Sequence, residues 1–189
     1  IAISQNALNQ MRTTELRALT ETTYVPAKQL TETIRFAQPT VEDYSMKNRT
    51  YRYYTGEPLY PFGYGLTYGR CVVNSVTAEK VYGQEKEFKG VKLFIETENQ
   101  KNTETDDVLQ VYIKDLDTEY AVLNPTLAAF KRIHLNGNVS GKTEIFVDKR
   151  AFTSVDENGN RKITGKNFKL YAGFSQPDAR SEVLTGIKC

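Results

Sequence analysis

The chain has 189 residues, and its 25 basic and 23 acidic residues leave a net charge of +2. This balance excludes the basic footprint of a nucleic-acid-binding protein, and no apolar run approaches the roughly eighteen residues that a membrane-spanning helix needs. Cys71 and Cys189 are too few for a disulfide framework and lack metal-ligand spacing, although one bridge between them is allowed.

The first 46 residues are predicted to be a partly helical segment. From Ser4 to about Leu19, apolar residues recur at helical spacing behind a Ser N-cap. Pro26 ends any such helix, and Ile34 and Phe36 alternate as on a short strand. We interpret residues 1–46 as the remnant of a preceding domain and its linker. The cellular location stays open, because a mature or excised chain would have the same composition.

The next stretch, Thr50 to Tyr68, is dense in aromatic residues, Pro and Gly. Pro58 and Pro61 each remove a backbone donor and restrict the residue before them, while Gly63 allows a positive φ. This composition suits an ordered, irregular connector better than a helix or a central strand. The sequence therefore predicts a packed connector over residues 47–69.

Residues 70–189 are predicted to be a β domain. Seven segments are rich in β-branched and aromatic residues or alternate apolar with polar positions, as strands do. They are Cys71–Tyr82, Lys89–Glu98, Val108–Lys114, Leu127–Leu135, Lys142–Val147, Arg161–Ile163 and Asn167–Phe174. The turn signal Asn136-Gly137 predicts a hairpin into the fifth segment, and Asn158-Gly159 a turn before the sixth. Short strands without intervening helices indicate an antiparallel sandwich of the immunoglobulin type.

Two groups of carboxylates are close enough in sequence to suggest a metal site or a proton-sharing pair. Asp115, Asp117 and Glu119 have the alternation of a carboxylate metal site but lack the glycine and ligand run of a calcium loop, so a solvated loop is expected. Asp106 and Asp107 are adjacent on a strand, point to opposite faces and are expected to be surface charges.

His134 is the only histidine and lacks a nucleophile motif. It is therefore expected at the rim of a strand and not in a catalytic triad. Basic residues alternate with tyrosines at 47–54, as in surfaces that bind single-stranded nucleic acid. The overall charge balance argues against nucleic acid as a partner.

The sequence also resembles a known family. YSMKNRTYRY at 44–53, followed by GEPLYPFGYGL at 56–66, resembles the segment entering the C-terminal fibronectin type III-like domain of family 3 glycoside hydrolases, the β-glucosidases and β-xylosidases. Downstream, VLQVYIK at 108–114, FKRIHL at 130–135 and YAGFS at 171–175 are similar to the family's central, Phe-Lys-Arg and last strands. The resemblance covers about Val41 to Gly186 and implies a fibronectin type III-like sandwich over residues 70–189.

The resemblance implies that this chain is not itself catalytic. Family 3 enzymes are retaining glycosidases, which need a nucleophilic carboxylate and a carboxylic acid about 5 Å apart. In the family, these two catalytic groups lie in domains that precede the segment that this chain resembles. No catalytic residue, metal or cofactor is therefore expected here. The intact protein is expected to hydrolyse terminal, non-reducing β-linked sugars, and its catalytic domains, on the same or a companion chain, are the expected partners.

The connector has two interpretations under this resemblance. In the first, its rings lie between domains, and four residues are the domain-interface candidates: Tyr60, Phe62, Tyr64 and Tyr68. In the second, three tyrosines reach the sugar cleft of the neighbouring domain: Tyr51, Tyr53 and Tyr54. Two alternatives for the whole chain also stay open, a free-standing carbohydrate-binding or adhesion sandwich and one piece of a split glycosidase. A homodimer is also allowed.

Overall fold

The computed structural model describes residues 45–187. The helix predicted from Ser4, the strand predicted at Ile34 and Phe36, and Cys189 with its allowed bridge lie outside the described residues. The chain divides into two units, Ile1–Leu59 and Tyr60–Cys189. Neither helix within residues 45–187 is long and apolar enough to cross a membrane.

The described part of the first unit is a tight turn around a one-turn helix, α1, Thr50–Tyr53. Asn48 closes the turn from both ends: its backbone N–H donates to Tyr53 O at 3.1 Å, and its Oδ1 accepts from the hydroxyl of Thr55 at 2.6 Å. Asn48 and Thr50 both lie in the left-handed region, with φ of 59°. The connector is thus ordered here, as predicted, but it includes a helical turn that the sequence did not predict.

The second unit is built from eight strands. They are β1 Cys71–Tyr82, β2 Phe88–Asn99, β3 Thr105–Asp115, β4 Thr126–Leu135, β5 Ser140–Asp148, β6 Ser154–Val155, β7 Arg161–Lys162 and β8 Phe168–Gly173. A 3-10 helix, Lys149–Phe152, follows β5, and helix α2, Ala179–Thr185, follows β8. Each of the seven predicted segments coincides with a strand. The short β6 and both helical elements of this unit were not predicted.

The strands form two three-stranded antiparallel sheets and a small ribbon. Sheet A has the order β1-β2-β5, sheet B has the order β4-β3-β8, and β6 pairs with β7. The turn predicted at Asn158-Gly159 is present before β7, with Gly159 at a φ of 79°, and it joins β6 to β7. The predicted architecture, an antiparallel β-sandwich, is confirmed.

The hairpin predicted at Asn136-Gly137 is wrong. β4 pairs with β3 in sheet B, whereas β5 pairs with β2 in sheet A, so this connection crosses from one sheet to the other. The physical reason is burial: Leu135 at the end of β4 and Ile145 on β5 both enter the core, from opposite sheets. Asn138, at a φ of 56°, makes the turn and donates its backbone N–H to Lys101 O at 2.9 Å.

The core lies between the inner faces of the two sheets. Its buried hydrophobic residues alternate along the strands: Cys71, Val91, Leu93, Ile95, Leu109, Val111, Ile113, Ile133, Leu135, Ile145, Val147 and Phe152. At one end, the ring of Phe152 lies edge-on between Phe88 and Phe168, with centroid distances of 5.4 Å and 5.2 Å. Because the inner positions of β3 are Leu109, Val111 and Ile113, its alternate residues face away from the core.

Candidate interaction surface

The outer face of β3 is covered by the connector. Gln110 and Tyr112 point away from the core, yet they are only 6% and 0% exposed. The hydroxyl of Tyr112 lies 3.2 Å from Phe62 O and 2.6 Å from Gln110 Oε1, and Gln110 Nε2 donates to Gly63 O at 2.9 Å. The backbone N–H of Gln176 also donates to Phe62 O, at 2.8 Å. Three of these contacts hold the connector backbone, at Phe62 O and Gly63 O, and the contact between Tyr112 and Gln110 links two of the side chains that hold it.

Gly63 is the point of closest approach. Its φ is +77°, and a Cβ built there would overlap the side-chain amide of Gln110 and lie 2.8 Å from the hydroxyl of Tyr112. Both the backbone conformation and the space therefore require glycine. Gly65, two residues further on, has no atom within 4 Å of such a Cβ. The fit is tight again at Gly69, where a Cβ would lie 2.4 Å from the side chain of Thr105.

The connector's side chains face solvent although its backbone is held. Tyr60 is 62% exposed, Phe62 42%, Leu66 89% and Tyr68 86%. Tyr64 is half-buried and its ring stacks on that of Tyr60, with centroids 5.6 Å apart and an interplanar angle of 14°. The four interface candidates therefore lie on one short stretch, and three of them present apolar surface to water. We call Tyr60–Tyr68 the aromatic surface.

The three substrate-proximal candidates belong to the first unit. Tyr51 and Tyr53 lie on α1 and Tyr54 follows it, and all three are half-buried. Arg52 lies 5.9 Å from the centroid of the Tyr51 ring, which is a cation–π distance. The ring of Tyr54 packs against Gly56, where a Cβ would lie 2.6 Å from its hydroxyl. Tyr51 and Tyr54 thus both contact residues of their own turn.

The carboxylates after β3 hold two loops together. Asp117 accepts hydrogen bonds from Lys166 N at 3.0 Å and from Asn167 N and Nδ2 at 3.2 Å and 3.0 Å. These bonds, that from Lys166 first, lower the pKa of Asp117. Asp115 Oδ1 accepts from Asp117 N at 3.2 Å. Across residues 45–187, no three His, Cys, Asp or Glu side chains come together as a metal site would require. Asp117 and Glu119 are exposed, so the loop is solvated as expected, and the bonds of Asp117 to Lys166 and Asn167 form a hydrogen-bonded staple between the two loops.

Asp106 and Asp107 point to opposite sides of β3, as expected, but only Asp106 is a surface charge. Asp106 bonds Arg132 at 2.8 Å and His134 Nδ1 at 3.1 Å on the outer face of sheet B, and these two contacts lower its pKa. Asp107 is half-buried beside Cys71, and burial raises its pKa. Burial, and then Asp107, raise the pKa of the Cys71 thiol to about 11.

The aromatic surface is held by three residues that the sequence analysis did not identify. We call Gln110, Tyr112 and Gln176 its anchor. A signal was present in VLQVYIK, where the inner positions are aliphatic while Gln110 and Tyr112 occupy the outer ones. A large aromatic and an amide on the outer face of a central strand indicate that something covers them. The sequence did not show that the cover was the connector.

Residues 107–176 match the model of the fibronectin type III-like domain family. A xylan 1,4-β-xylosidase of Xylanibacter ruminicola is 31% identical to this chain over 154 residues, which are 78% of this chain and 16% of the xylosidase. Thermostable β-glucosidase B of Acetivibrio thermocellus is 27% identical over 105 residues, which are 54% of this chain and 14% of the glucosidase. The chain therefore spans a small part of the length of these relatives.

The fold also occurs in a solved structure. The crystal structure of a family 3 β-glucosidase from Bifidobacterium adolescentis superposes on this chain with a TM-score of 0.59. The match covers 69% of this chain and 19% of the glucosidase, at 23% sequence identity. At this identity the likeness shows a shared fold.

Proposed function

We propose that this chain, which is homologous to the C-terminal part of family 3 β-glucosidases and β-xylosidases, is a non-catalytic module that braces the catalytic domains of such an enzyme. The observation that carries the proposal is the aromatic surface: the backbone of Phe62 and Gly63 is held by hydrogen bonds from Tyr112 and Gln110, whereas Tyr60, Phe62 and Tyr68 are exposed. A rigid backbone that presents large apolar side chains to water is typical of a protein interface.

The proposed domain organisation follows from this role. Residues 1–46 are the remnant of the preceding domain and its linker, residues 47–69 are the connector, and residues 70–189 are the fibronectin type III-like sandwich. The interface residues are Tyr60, Phe62, Tyr64 and Tyr68. Their partner is the catalytic part of the enzyme, on this polypeptide or on a companion chain.

The intact enzyme is proposed to release terminal, non-reducing β-glucosyl or β-xylosyl residues by double displacement. That mechanism needs two carboxyl groups about 5 Å apart on either side of the scissile bond. Two sets of carboxylates in the described part of the chain support a non-catalytic role. Asp106 and Asp107 lie on opposite faces of β3, and Asp117 is engaged by the loop at Lys166 and Asn167.

The activity proposal is tested by assaying the purified chain and the intact enzyme on the same aryl β-glucoside and β-xyloside. We expect hydrolysis by the intact enzyme and none by the chain. Hydrolysis by the chain that persists through repurification would show that it is catalytic. If the open reading frame encodes no catalytic domain before this sequence, and no companion chain carries one, the proposed partner does not exist.

The bracing role is tested in the intact enzyme by Phe62→Ser, because only the backbone of Phe62 takes part in the anchor described above. The variant is expected to lower the temperature at which catalytic activity is lost and to leave kcat and KM at moderate temperature unchanged. Phe94→Thr is the control, since Phe94 is similarly exposed, at 39%, on β2 of the other sheet. Equal thermal loss in both variants would contradict an interface at the connector.

Tyr51, Tyr53 and Tyr54 are proposed to pack the turn around α1, and contact with an outer sugar ring is the alternative. The packing role is supported by the Tyr54 ring, which lies against Gly56, and by the half-burial of the Tyr51 and Tyr53 side chains. Tyr53→Ala and Tyr54→Ala, made separately in the intact enzyme, are expected to lower stability and leave KM unchanged. A raised KM with unchanged stability would instead assign the altered tyrosine to the substrate.

A further inference from the structure

Phe130 is a large apolar side chain that the sandwich core does not use. It lies on β4, the strand that carries the FKRIHL motif, and it is 67% exposed. Further along the same strand, Ile133 and Leu135 are 8% and 5% exposed. A single exposed hydrophobic residue is common on protein surfaces, so exposure alone assigns no role to Phe130. Its neighbours do.

Phe130 is next to the anchor of the connector. In the β3–β4 ladder it pairs directly with Gln110, and directly paired residues point to the same side of a sheet. The side chain of Gln110 continues from there to Gly63 O, at 2.9 Å. Phe62, the residue before Gly63, is 42% exposed, and Val108 on the same face of β3 is 38% exposed. Exposed apolar side chains therefore lie next to the residues that Gln110 contacts, both in the connector and on the edge strand β4.

Charged residues border this surface on one side. Arg132 and His134 follow Phe130 on the outer face of β4, and both contact the carboxylate of Asp106, at 2.8 Å and 3.1 Å. The three side chains are exposed and pair with one another. An apolar centre beside a polar, paired margin is the usual arrangement of a protein–protein interface.

We infer that the docking surface of this module extends from the aromatic surface across Gln110 onto Phe130, and that its occupant is the catalytic part of the same enzyme; this inference rests on the proposed function. Two observations select that occupant. The matched segments are only 16% and 14% of the relatives, so most of such an enzyme lies outside this chain. The second unit also begins at Tyr60, so the polypeptide that precedes it joins two residues before Phe62 in the sequence.

The test compares Phe130→Thr with Phe94→Thr in two proteins, the full 189-residue chain and the intact enzyme. Both variants replace an exposed strand Phe by a polar strand former, on opposite faces of the sandwich. In the chain alone, neither is expected to shift the unfolding midpoint appreciably. In the intact enzyme, Phe130→Thr is expected to speed thermal inactivation about tenfold, because it removes a phenyl ring from a buried contact, whereas Phe94→Thr leaves the rate unchanged.

Hydrogen exchange gives a second readout. The β4 amides near Phe130 are expected to exchange more slowly in the intact enzyme than in the chain, and Phe130→Thr is expected to reduce that difference. If Phe130→Thr matches Phe94→Thr in the intact enzyme while Phe62→Ser still speeds inactivation, the extension onto β4 is wrong and bracing at the connector stands. If Phe130→Thr destabilises the chain as much as the enzyme, Phe130 has a structural role and the inference is overturned. If Phe62→Ser also has no effect, the proposed function itself fails.

Discussion

Asn99 holds the end of sheet A beside the turn into β3. Its side chain is fully buried, and its Oδ1 accepts from Arg70 N and Lys101 N, each at 3.1 Å. Its Nδ2 donates to Thr103 O at 2.8 Å. One amide thus replaces the hydrogen bonds that three backbone groups would otherwise make to water. Because a buried polar group left without a partner is costly, the three bonds depend on this one side chain.

We predict that Asn99→Ala lowers the free energy of unfolding by about 2–3 kcal/mol, because it leaves backbone donors next to an apolar methyl. Asn74→Ala is the control. Asn74 is exposed on β1 and donates one bond, to Glu98 at 3.0 Å, so its loss is expected to cost no more than about 0.5 kcal/mol. Urea unfolding followed by tyrosine fluorescence measures both. Equal midpoints for the two variants would contradict a special role for Asn99.

Asp117 makes stability depend on pH. Its folded-state pKa lies below its unfolded value, about 3.9 for Asp, because donors such as Lys166 N bind the charged form. Its contribution is therefore fully present above the unfolded pKa and is lost as the pH falls through the folded pKa. We predict that Asp117→Asn lowers the urea midpoint at neutral pH and that the difference from the parent chain shrinks progressively below about pH 4.

Glu119→Gln is the control for Asp117. It removes a negative charge from the same loop without removing an acceptor for Lys166 N or Asn167 N. This variant is expected to keep the midpoint of the parent chain at neutral pH. A gap between Asp117→Asn and the parent that stays constant down to pH values well below the folded pKa would show that the staple does not depend on ionisation.

At the scale of elements, strands such as β2 and β5 could be predicted from sequence because they combine period-two burial with β-branched residues. Val91, Leu93 and Ile95 alternate with exposed or half-buried residues on β2, and the structure places all three in the core. The strand with which each strand pairs was harder to predict from sequence. The Asn136-Gly137 signal is local, whereas the sheet that β5 joins depends on which core face remains open after β2 and β3 pair with their neighbours.

The helix α2 could have been predicted from its ends. Asp178 accepts from Ser181 N at 2.7 Å as the N-cap, and Gly186 ends the helix at a φ of 69°. The anchor of the connector could not have been predicted from local sequence patterns, because its hydrogen bond joins Gln110 to Gly63 across 47 residues of sequence. Local patterns predict an ordered connector, but the residues that hold it belong to a strand whose position requires the whole sheet.

The connector's fit to sheet B is testable at its glycines. We predict that Gly63→Ala lowers the free energy of unfolding by about 1–3 kcal/mol, because Ala resists a φ of +77° and its Cβ would displace Gln110. Gly65→Ala is the matched control, since its Cβ would meet no atom within 4 Å, and a change within about 0.5 kcal/mol is expected. Thermal unfolding by circular dichroism compares them. Equal losses at both positions would indicate that the connector is not held at Gly63.

At the scale of the whole molecule, the sandwich buries its own core but leaves the aromatic surface without a cover in the second unit. Leu66 and Tyr68 are 89% and 86% exposed, and Phe130 on β4 is 67% exposed. Exposed apolar residues that lie together, as those of the aromatic surface do within nine residues of sequence, favour association. The net charge of +2 offers little electrostatic repulsion between copies.

We therefore predict that the 189-residue chain, purified without its catalytic partner, self-associates with increasing concentration. The driving force is burial of exposed rings, so association is expected to strengthen in sulfate and to change little in dilute sodium chloride. The double variant Phe62→Ser with Tyr68→Ser is expected to weaken it, while the polar anchor at Gln110 and the backbone of Phe62 remains. Sedimentation velocity across a wide range of concentration measures the change, with Phe94→Thr as the control. A chain that stays monomeric at every concentration, or a Phe94→Thr variant that loses association equally, would show that the aromatic surface does not drive it.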